Sequence, residues 1–123
     1  MPYMVQVDEQ HQLVEVVYIG PITVSTRICA MEDGALLLDA HQYARVLVDL
    51  TAATAAPEPI AAAHGYAARM AHRPRARNSR LAYVTLPAQH PSPLMENVAS
   101  TRHVELRHFH ARAEALHWLL TGT

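Results

Sequence analysis

The sequence has little or nothing of several residues on which common function classes depend. Cys29 is the only cysteine, so an internal disulfide and a cysteine-rich zinc site are both excluded. Only four glycines are present, and none stands in a Gly-x-Gly-x-x-Gly, Walker or Gly-x-Ser-x-Gly pattern. No apolar run approaches the roughly 18 residues that a membrane-spanning helix needs. These absences exclude the familiar phosphate loops, the nucleophile elbow and a membrane span.

Charge and composition also limit the class of protein to which this chain can belong. Lysine is absent, all ten basic residues are arginines, and the formal net charge is −1. This near balance gives no overall attraction to nucleic acid or to an anionic membrane. Half of the 123 residues are hydrophobic, which predicts one folded domain spanning residues 1–123. The first residues lack the basic and apolar regions of a signal peptide, so a cytoplasmic location is expected.

Hydrophobic patterns predict an alternation of strands and helices. Alternating or β-branched runs predict strands at Tyr3–Val7, Leu13–Ile19, Arg45–Leu50, Leu81–Leu86 and Val104–Phe109. Helices are expected from Thr23 to about Ala40, from Pro57 or Pro59 to Met70, from Leu94 to Ala99 and from Ala111 to Leu120. Gly20–Pro21 is expected to end the second strand, and residues 51–57 to form a loop.

The order β-β-α-β-α-β-(α)-β-α predicts an α/β fold with a mostly parallel sheet. The link between the first two strands is so short that they must form an antiparallel hairpin at the N-terminus. The segment Arg45–Leu50 is short and apolar and stands between two stretches predicted as helices, which is typical of a buried central strand.

The first helix is expected to bury one face against this sheet. Its apolar residues recur at spacings of four and three, and they are Val24, Ile28, Met31, Ala35 and Leu38. Thr23 is predicted to cap its N-terminus, and Gly34 is expected to interrupt it. Cys29 lies beside the apolar residues and is interpreted as a small buried hydrophobe rather than a nucleophile.

Three stretches together resemble the SpoIIAA-like family within the wider STAS-type fold. They are Tyr18–Pro21 after the hairpin, Val46–Thr51, and Val104–Phe109 followed by Glu114–Leu119. The resemblance implies a relationship to bacterial anti-sigma-factor antagonists, which are non-catalytic and dock on a partner protein. Those antagonists are switched by phosphorylation of a Ser or Thr just after the central strand. A similar fold occurs in CRAL-TRIO lipid-transfer domains.

Thr51 lies near the phosphoacceptor position that this resemblance implies. It follows Asp49 at the end of the central strand, and Thr54 stands three residues further on. A phosphate near the start of the next helix would meet free amides and the positive end of the helix dipole. The alternative is that Thr51 and Thr54 only cap and turn the backbone.

The loops after the strands are the predicted binding region, because ligands of open α/β sheets favour the carboxyl ends of the strands. The residues predicted to contribute there are Gln89, His90, Ser92 and His110. The proline-rich segment Pro87–Pro93 is interpreted either as a lid over this region or as a stiff connection.

The remaining polar groups suggest no metal or cofactor. His108 and His110 stand two apart with His103 nearby, yet no cysteine pair or carboxylate accompanies them at a ligand spacing. The four arginines between Arg73 and Arg80 lack interleaved aromatic residues and are interpreted as a solvated connection. Neither a metal site nor a nucleic-acid site is therefore expected.

Two functions follow as hypotheses. The first is a non-catalytic regulatory module that docks on a protein partner and forms a homodimer. The second is a carrier or sensor of a small lipid-like or anionic ligand. An enzyme is a third possibility only because Asp49, Thr51, His90 and His110 are all expected near the strand ends.

Overall fold

A five-stranded sheet organises the computed structural model, which describes residues 3–55, 80–87 and 105–122. The elements are β1 (Tyr3–Asp8), β2 (Leu13–Ile22), α1 (Val24–His41), β3 (Arg45–Ala55), β4 (Arg80–Val84), β5 (Glu105–Phe109) and α2 (Arg112–Thr121). The strand order is β1-β2-β3-β4-β5. β1 and β2 are antiparallel and the other neighbours are parallel. The predicted α/β fold, its N-terminal hairpin and its central strand β3 are confirmed.

The helices predicted between Pro57 and Met70 and between Leu94 and Ala99 lie outside the described residues. Neither described helix is long and apolar enough to cross a membrane.

The prediction that Gly20–Pro21 ends the second strand is wrong. β2 continues to Ile22, and Pro21 lies opposite Thr54 in the pairing with β3. Among the described residues, β1 pairs with β2 only as far as Tyr18. Pro21 therefore lies where β3 is the one described neighbour of β2, and proline is tolerated at such an edge position. Gly20 adopts a positive φ of 75° next to it, a conformation that glycine adopts without strain.

The predicted loop over residues 51–57 is also wrong as far as the described residues reach. Residues 51–55 extend β3, because Ile19 to Ile22 pair with Ala52 to Ala55. Among the described strands, β4 pairs with β3 only up to Asp49, so β2 is the one described strand that pairs with this extension.

Side chains of the sheet alternate between two buried faces. One face packs under α1, and its buried cluster is Val14, Val16, Tyr18, Ile22, Ala30, Leu38, Val46, Val48 and Leu81. The other packs under α2, with Leu13, Leu47, Ala82, Val84, Ala115, Trp118 and Leu119. Period-two alternation within β2 and β3 therefore supplies both faces of the core. The inward turn predicted for Ala115, Trp118 and Leu119 is confirmed.

The side of α1 that faces the sheet is rotated from the predicted one. Ala30 and Leu38 are buried and Met31 is half-buried, whereas Cys29 is exposed, so the prediction of a buried Cys29 is wrong. Gly34 is buried inside a continuous helix instead of interrupting it. The predicted N-cap is confirmed, because Oγ1 of Thr23 accepts a hydrogen bond from the Thr26 amide at 3.2 Å.

Three arginines hold α2 to the sheet. The Arg45 guanidinium donates from Nε to the Leu119 carbonyl at 3.0 Å and from Nη1 to the His11 carbonyl at 3.0 Å. Arg80 donates to the same Leu119 carbonyl at 3.4 Å. These cations lie at the helix C-terminus, where carbonyls lack helical partners and the dipole is negative. At the other end of α2, Arg112 pairs with Glu15 of β2.

Gly34→Ala is expected to stabilise the protein by about 0.5–1 kcal/mol, because alanine is the better helix former. A Cβ at this position would lie 3.8 Å from Val16 Cγ2, an ordinary contact distance. Denaturant unfolding measures the change. Gly20→Ala is the contrasting variant, since its φ of 75° penalises a side chain by about 1–2 kcal/mol. Destabilisation by Gly34→Ala would contradict the packing of α1 on β2.

Arg45→Lys is expected to destabilise the protein by about 1–3 kcal/mol in denaturant unfolding. A lysine ammonium cannot reproduce the two diverging donors that reach the His11 and Leu119 carbonyls. Arg107→Lys is the matched control, because exposed Arg107 lies over the Phe109 and Trp118 rings, where an ammonium can also bind. Equal losses in the two variants would show that the paired hydrogen bonds of Arg45 contribute nothing special.

Candidate functional site

A β-bulge marks the point where the central strand passes the end of its neighbour β4. Val17 lies opposite Asp49, but Ile19 lies opposite Ala52, so β3 contains one residue more than β2 over this interval. The Asp49 carboxylate accepts the Thr51 amide at 2.9 Å and the Thr51 hydroxyl at 2.7 Å, both on Oδ1. Asp49 thereby satisfies an amide at the ladder irregularity, which is the local reason why an aspartate two residues before a threonine suits this position.

The structure brings Asp49 and Thr51 together, and it places both within β3. Thr51 is half-buried, whereas Thr54 is exposed and lies opposite Pro21 in the pairing of β3 with β2. The hydroxyl of Thr51 is thus engaged as a donor to a carboxylate, and that of Thr54 stands on the surface. Whether either threonine is a phosphoacceptor stays a prediction.

His110 lies at the same edge of the sheet. Asp49, Val84 and Phe109 occupy equivalent positions on neighbouring strands, so His110 and Thr85 directly follow that row. Nδ1 of His110 is 3.1 Å from the Thr85 carbonyl oxygen, and the Thr85 amide donates to the Phe109 carbonyl at 3.0 Å. A proton on Nδ1 satisfies that carbonyl and leaves Nε2 as an acceptor. Gln89, His90 and Ser92, the other predicted members, lie outside the described residues.

Arg112 and Glu15 form an ion pair that the sequence did not indicate. The two guanidinium nitrogens contact the two carboxylate oxygens, with Nη2 to Oε1 at 3.0 Å. This bidentate contact raises the pKa of Arg112, and the nearby carboxylates of Asp49 and Asp8 raise it further against the effect of desolvation. The pair joins residues 97 positions apart. The available signal was one charged residue, Glu15, within the otherwise apolar strand β2.

A cavity of about 400 Å³ opens beside the β1–β2 hairpin, at the opposite end of the sheet from the predicted binding loops. Gln6, Val7, Asp8, Glu9 and Glu15 line it, and three of these carry carboxylates. Asp8 also accepts the His11 amide at 3.1 Å, and its contact with the His11 ring at 2.8 Å is the main cause of its lowered pKa.

Among residues 3–55, 80–87 and 105–122, no three His, Cys, Asp or Glu side chains come close enough to hold a metal ion. His108 and His110, two of the three histidines that stand close together in the sequence, have different neighbours. His108 contacts the Tyr83 ring edge-on at 6.1 Å, whereas His110 contacts Thr85. His103 lies outside the described residues.

Asp49→Ala is expected to destabilise the protein by about 1–3 kcal/mol, because it leaves the Thr51 amide and hydroxyl without their acceptor. Thr54→Ala, an exposed position on the same strand, is the control and is expected to change stability by less than about 0.5 kcal/mol. Thermal and denaturant unfolding measure both variants. Equal effects would mean that the carboxylate does not hold the bulge.

Known proteins resemble this chain in structure but not in sequence. No family model and no curated protein sequence matches it. The anti-sigma factor antagonist SpoIIAA in its unphosphorylated form superposes with a TM-score of 0.58 and 11% identity over 91% of each chain. An anti-sigma factor antagonist from Mycobacterium paratuberculosis gives 0.57 and 13% identity, covering 95% of this chain and 92% of that one.

A third similar structure is an uncharacterised DUF3478-family protein with a SpoIIAA-like fold from Shewanella loihica. Its TM-score is 0.52, with 14% identity over 95% of this chain and 91% of that chain. All three matches extend over nearly the whole length of both partners. The chain therefore has a SpoIIAA-like fold of the STAS type, and the predicted resemblance is confirmed at the level of the fold.

Proposed function

We propose that this chain is a non-catalytic regulatory module that docks on a protein partner through the carboxyl edge of its sheet. By carboxyl edge we mean the region where the parallel strands end, with Thr51, Thr54 and His110. The observation that carries the proposal is the fold shared with two anti-sigma factor antagonists over 91% and 95% of the chain. The proposal includes a single domain, a cytoplasmic location and a homodimeric state. Fold likeness alone does not assign a function, so the argument depends on the residues at this edge.

The polar groups at the carboxyl edge suit a switch better than a reaction centre. Thr51 already donates its hydroxyl proton to Asp49, and the His110 ring is held against the Thr85 carbonyl. The first contact lies within β3, and the second joins the segments that follow β4 and β5. Among the described residues, neither contact belongs to a set of nucleophile, base and orienting third group. The edge therefore presents a shaped polar surface of the kind that a partner protein recognises.

Phosphorylation of Thr51 would turn the attraction between its side chain and the Asp49 carboxylate into repulsion. The modification replaces a hydroxyl donor with a group of about −1.5 to −2 charge. That charge would stand beside the Asp49 carboxylate, which now accepts both the Thr51 amide and the hydroxyl at 2.9 and 2.7 Å. Repulsion would break the hydrogen bond that holds the bulge, and the end of β3 would change shape. A partner that reads this edge would then bind one form and not the other.

The alternative function, a carrier of a small lipid-like or anionic ligand, has no supporting observation among the described residues. The cavity beside the hairpin is lined by Asp8 and Glu9 together with Glu15, which is paired with Arg112, and this polar, acidic lining favours neither an anion nor an acyl chain. The proline-rich segment Pro87–Pro93, predicted as either a lid or a stiff connection, lies outside the described residues apart from Pro87.

Site-specific photocrosslinking tests the docking proposal. A benzophenone amino acid placed at exposed Thr54, on the carboxyl edge, is expected to capture one defined protein in the native host. The same group at exposed Gln10, in the hairpin turn at the opposite end, is the matched control and is expected to capture nothing specific. Equal capture from the two positions, or none from Thr54, would contradict the proposal. A small molecule of defined mass in the native mass spectrum would favour the carrier.

Two variants at Thr51 separate the switch from docking itself. Thr51→Glu mimics the added charge beside Asp49 and is expected to reduce crosslinking from position 54 at least about tenfold, whereas Thr51→Ser keeps the hydroxyl and the binding. Phosphopeptide mass spectrometry of protein from the native host checks the modification directly. Undiminished crosslinking by Thr51→Glu would overturn the switch and leave docking intact.

A further inference from the structure

The outer edge of β1 is open among the described strands. β1 pairs with β2 along its whole length, from Tyr3 opposite Tyr18 to Asp8 opposite Leu13, and no described strand pairs with its other side. An open strand edge presents backbone amides and carbonyls at the spacing of a ladder, so it is a template for a further strand.

The side chains of β1 do not protect this edge. Residues 3–7 include no charge and no proline, and the pairing of β1 with β2 has no bulge. β5 lies at the opposite edge of the described sheet and carries the exposed charges of Glu105 and Arg107, which discourage pairing. Met4 on β1 is 45% exposed, so an apolar side chain is accessible at this edge.

We infer that β1 pairs antiparallel with β1 of a second copy of this chain, around a two-fold axis at Val5. In this register Val5 faces its own equivalent, Tyr3 faces Val7 of the second copy, and Met4 faces Gln6 of the second copy. Opposed residues then share a face of the joint sheet, as antiparallel pairing requires, and no like charges are opposed. Asp8 falls beyond the paired residues.

Symmetry makes a second copy the fitting occupant. Two identical edges that pair antiparallel form a closed dimer, whereas pairing of β1 with β5 of another copy would continue as an open chain of molecules. The latter would also bring the exposed charges of Glu105 and Arg107 against the neutral edge. The closed dimer joins the five described strands of each copy into one continuous sheet.

Helix α1 is placed to extend the contact. The Tyr3 hydroxyl donates to the Asp33 carboxylate at 2.6 Å, so the flank of α1 with Asp33 is the one next to β1. Helical spacing puts exposed Cys29, Leu36 and Ala40 on or near that flank, and Leu36 is 67% exposed. Paired strands lie about 4.8 Å apart, so helices above the two hairpins would lie about 10 Å apart, a normal helix-packing distance.

Charge substitutions at the edge test this inference on the full chain, with molar mass measured by light scattering and analytical ultracentrifugation. The wild type is expected to be a dimer. Met4→Lys with Gln6→Lys is expected to weaken the dimer at least about tenfold, because like charges then cluster across the axis. Met4→Glu with Gln6→Glu is expected to do the same. Mixing the two variants restores a dimer, since introduced lysines then face introduced glutamates.

Folding is kept separate from association in this experiment. Met4 and Gln6 are both exposed, so circular dichroism and the melting temperature of dilute protein are expected to stay near wild type. Ala113→Lys with His117→Lys adds the same charge to exposed positions of α2 and is expected to leave the dimer intact. This inference rests on the homodimer proposed above and not on partner docking.

Each failure has a separate meaning. A monomeric wild type would overturn both the homodimer and the β1 contact, while crosslinking from Thr54 would still test docking. A dimer that persists in both lysine and glutamate variants would overturn the β1 contact alone. Loss of the dimer without recovery on mixing would overturn the proposed register.

Discussion

The hydrogen bonds of Arg45 hold together three parts of the molecule that the chain itself does not bring close. One guanidinium at the start of the central strand reaches the hairpin turn through the His11 carbonyl and the end of α2 through the Leu119 carbonyl, both at 3.0 Å. Hydrogen bonds to a charged donor contribute about 1.5–3 kcal/mol each, and less where they are only partly buried as these are, yet this is still a large share of a small domain's stability. The covering of one face of the sheet by Trp118 and Leu119 depends on this attachment.

The arrangement explains why the absence of lysine suits this fold. An ammonium is a single point charge, whereas a guanidinium has donors that point in different directions from one plane. Arg45 uses two of them on two carbonyls, Arg80 contacts both Glu105 and Leu119, and Arg112 contacts both oxygens of Glu15. Each arginine thus joins two acceptors or forms a bidentate pair. The helix is held at both ends, so the position of His110 just before it is fixed as well.

The sequence predicted those features that depend on local pattern. Period two in β2 and β3, the threonine cap of α1 and the inward positions of α2 all act within a few residues of chain. The errors have one common cause, which is that a neighbour distant in sequence overrode a local signal. Taken separately, the sequences of Gly20–Pro21 and of residues 51–55 are typical of loops. In the structure the two segments pair with each other, and this pairing makes both of them strands. Exposure of Cys29 likewise depends on how α1 is rotated against β2.

The contacts of the candidate site show the same difference between residues that are close in sequence and residues that are distant. Asp49 and Thr51 stand two residues apart, and their hydrogen bond was within reach of sequence reasoning as a local turn. The Arg112–Glu15 pair was not, because nothing in the sequence relates residues separated by 97 positions. A lone acid in an apolar strand indicates a partner of opposite charge without saying which of ten arginines it is.

Partner docking and the proposed dimer contact involve different surfaces of the sheet, so one does not block the other. A partner at the carboxyl edge meets the ends of the strands, where Thr51 and His110 lie, whereas a second copy meets the side of β1. Strand pairing extends the sheet across its strands and leaves their ends open. A dimer built through β1 would therefore carry two equivalent carboxyl edges, one in each copy. A partner with two matching surfaces would bind both edges with an effective concentration set by that rigid sheet, and each Thr51 would control one of the two contacts.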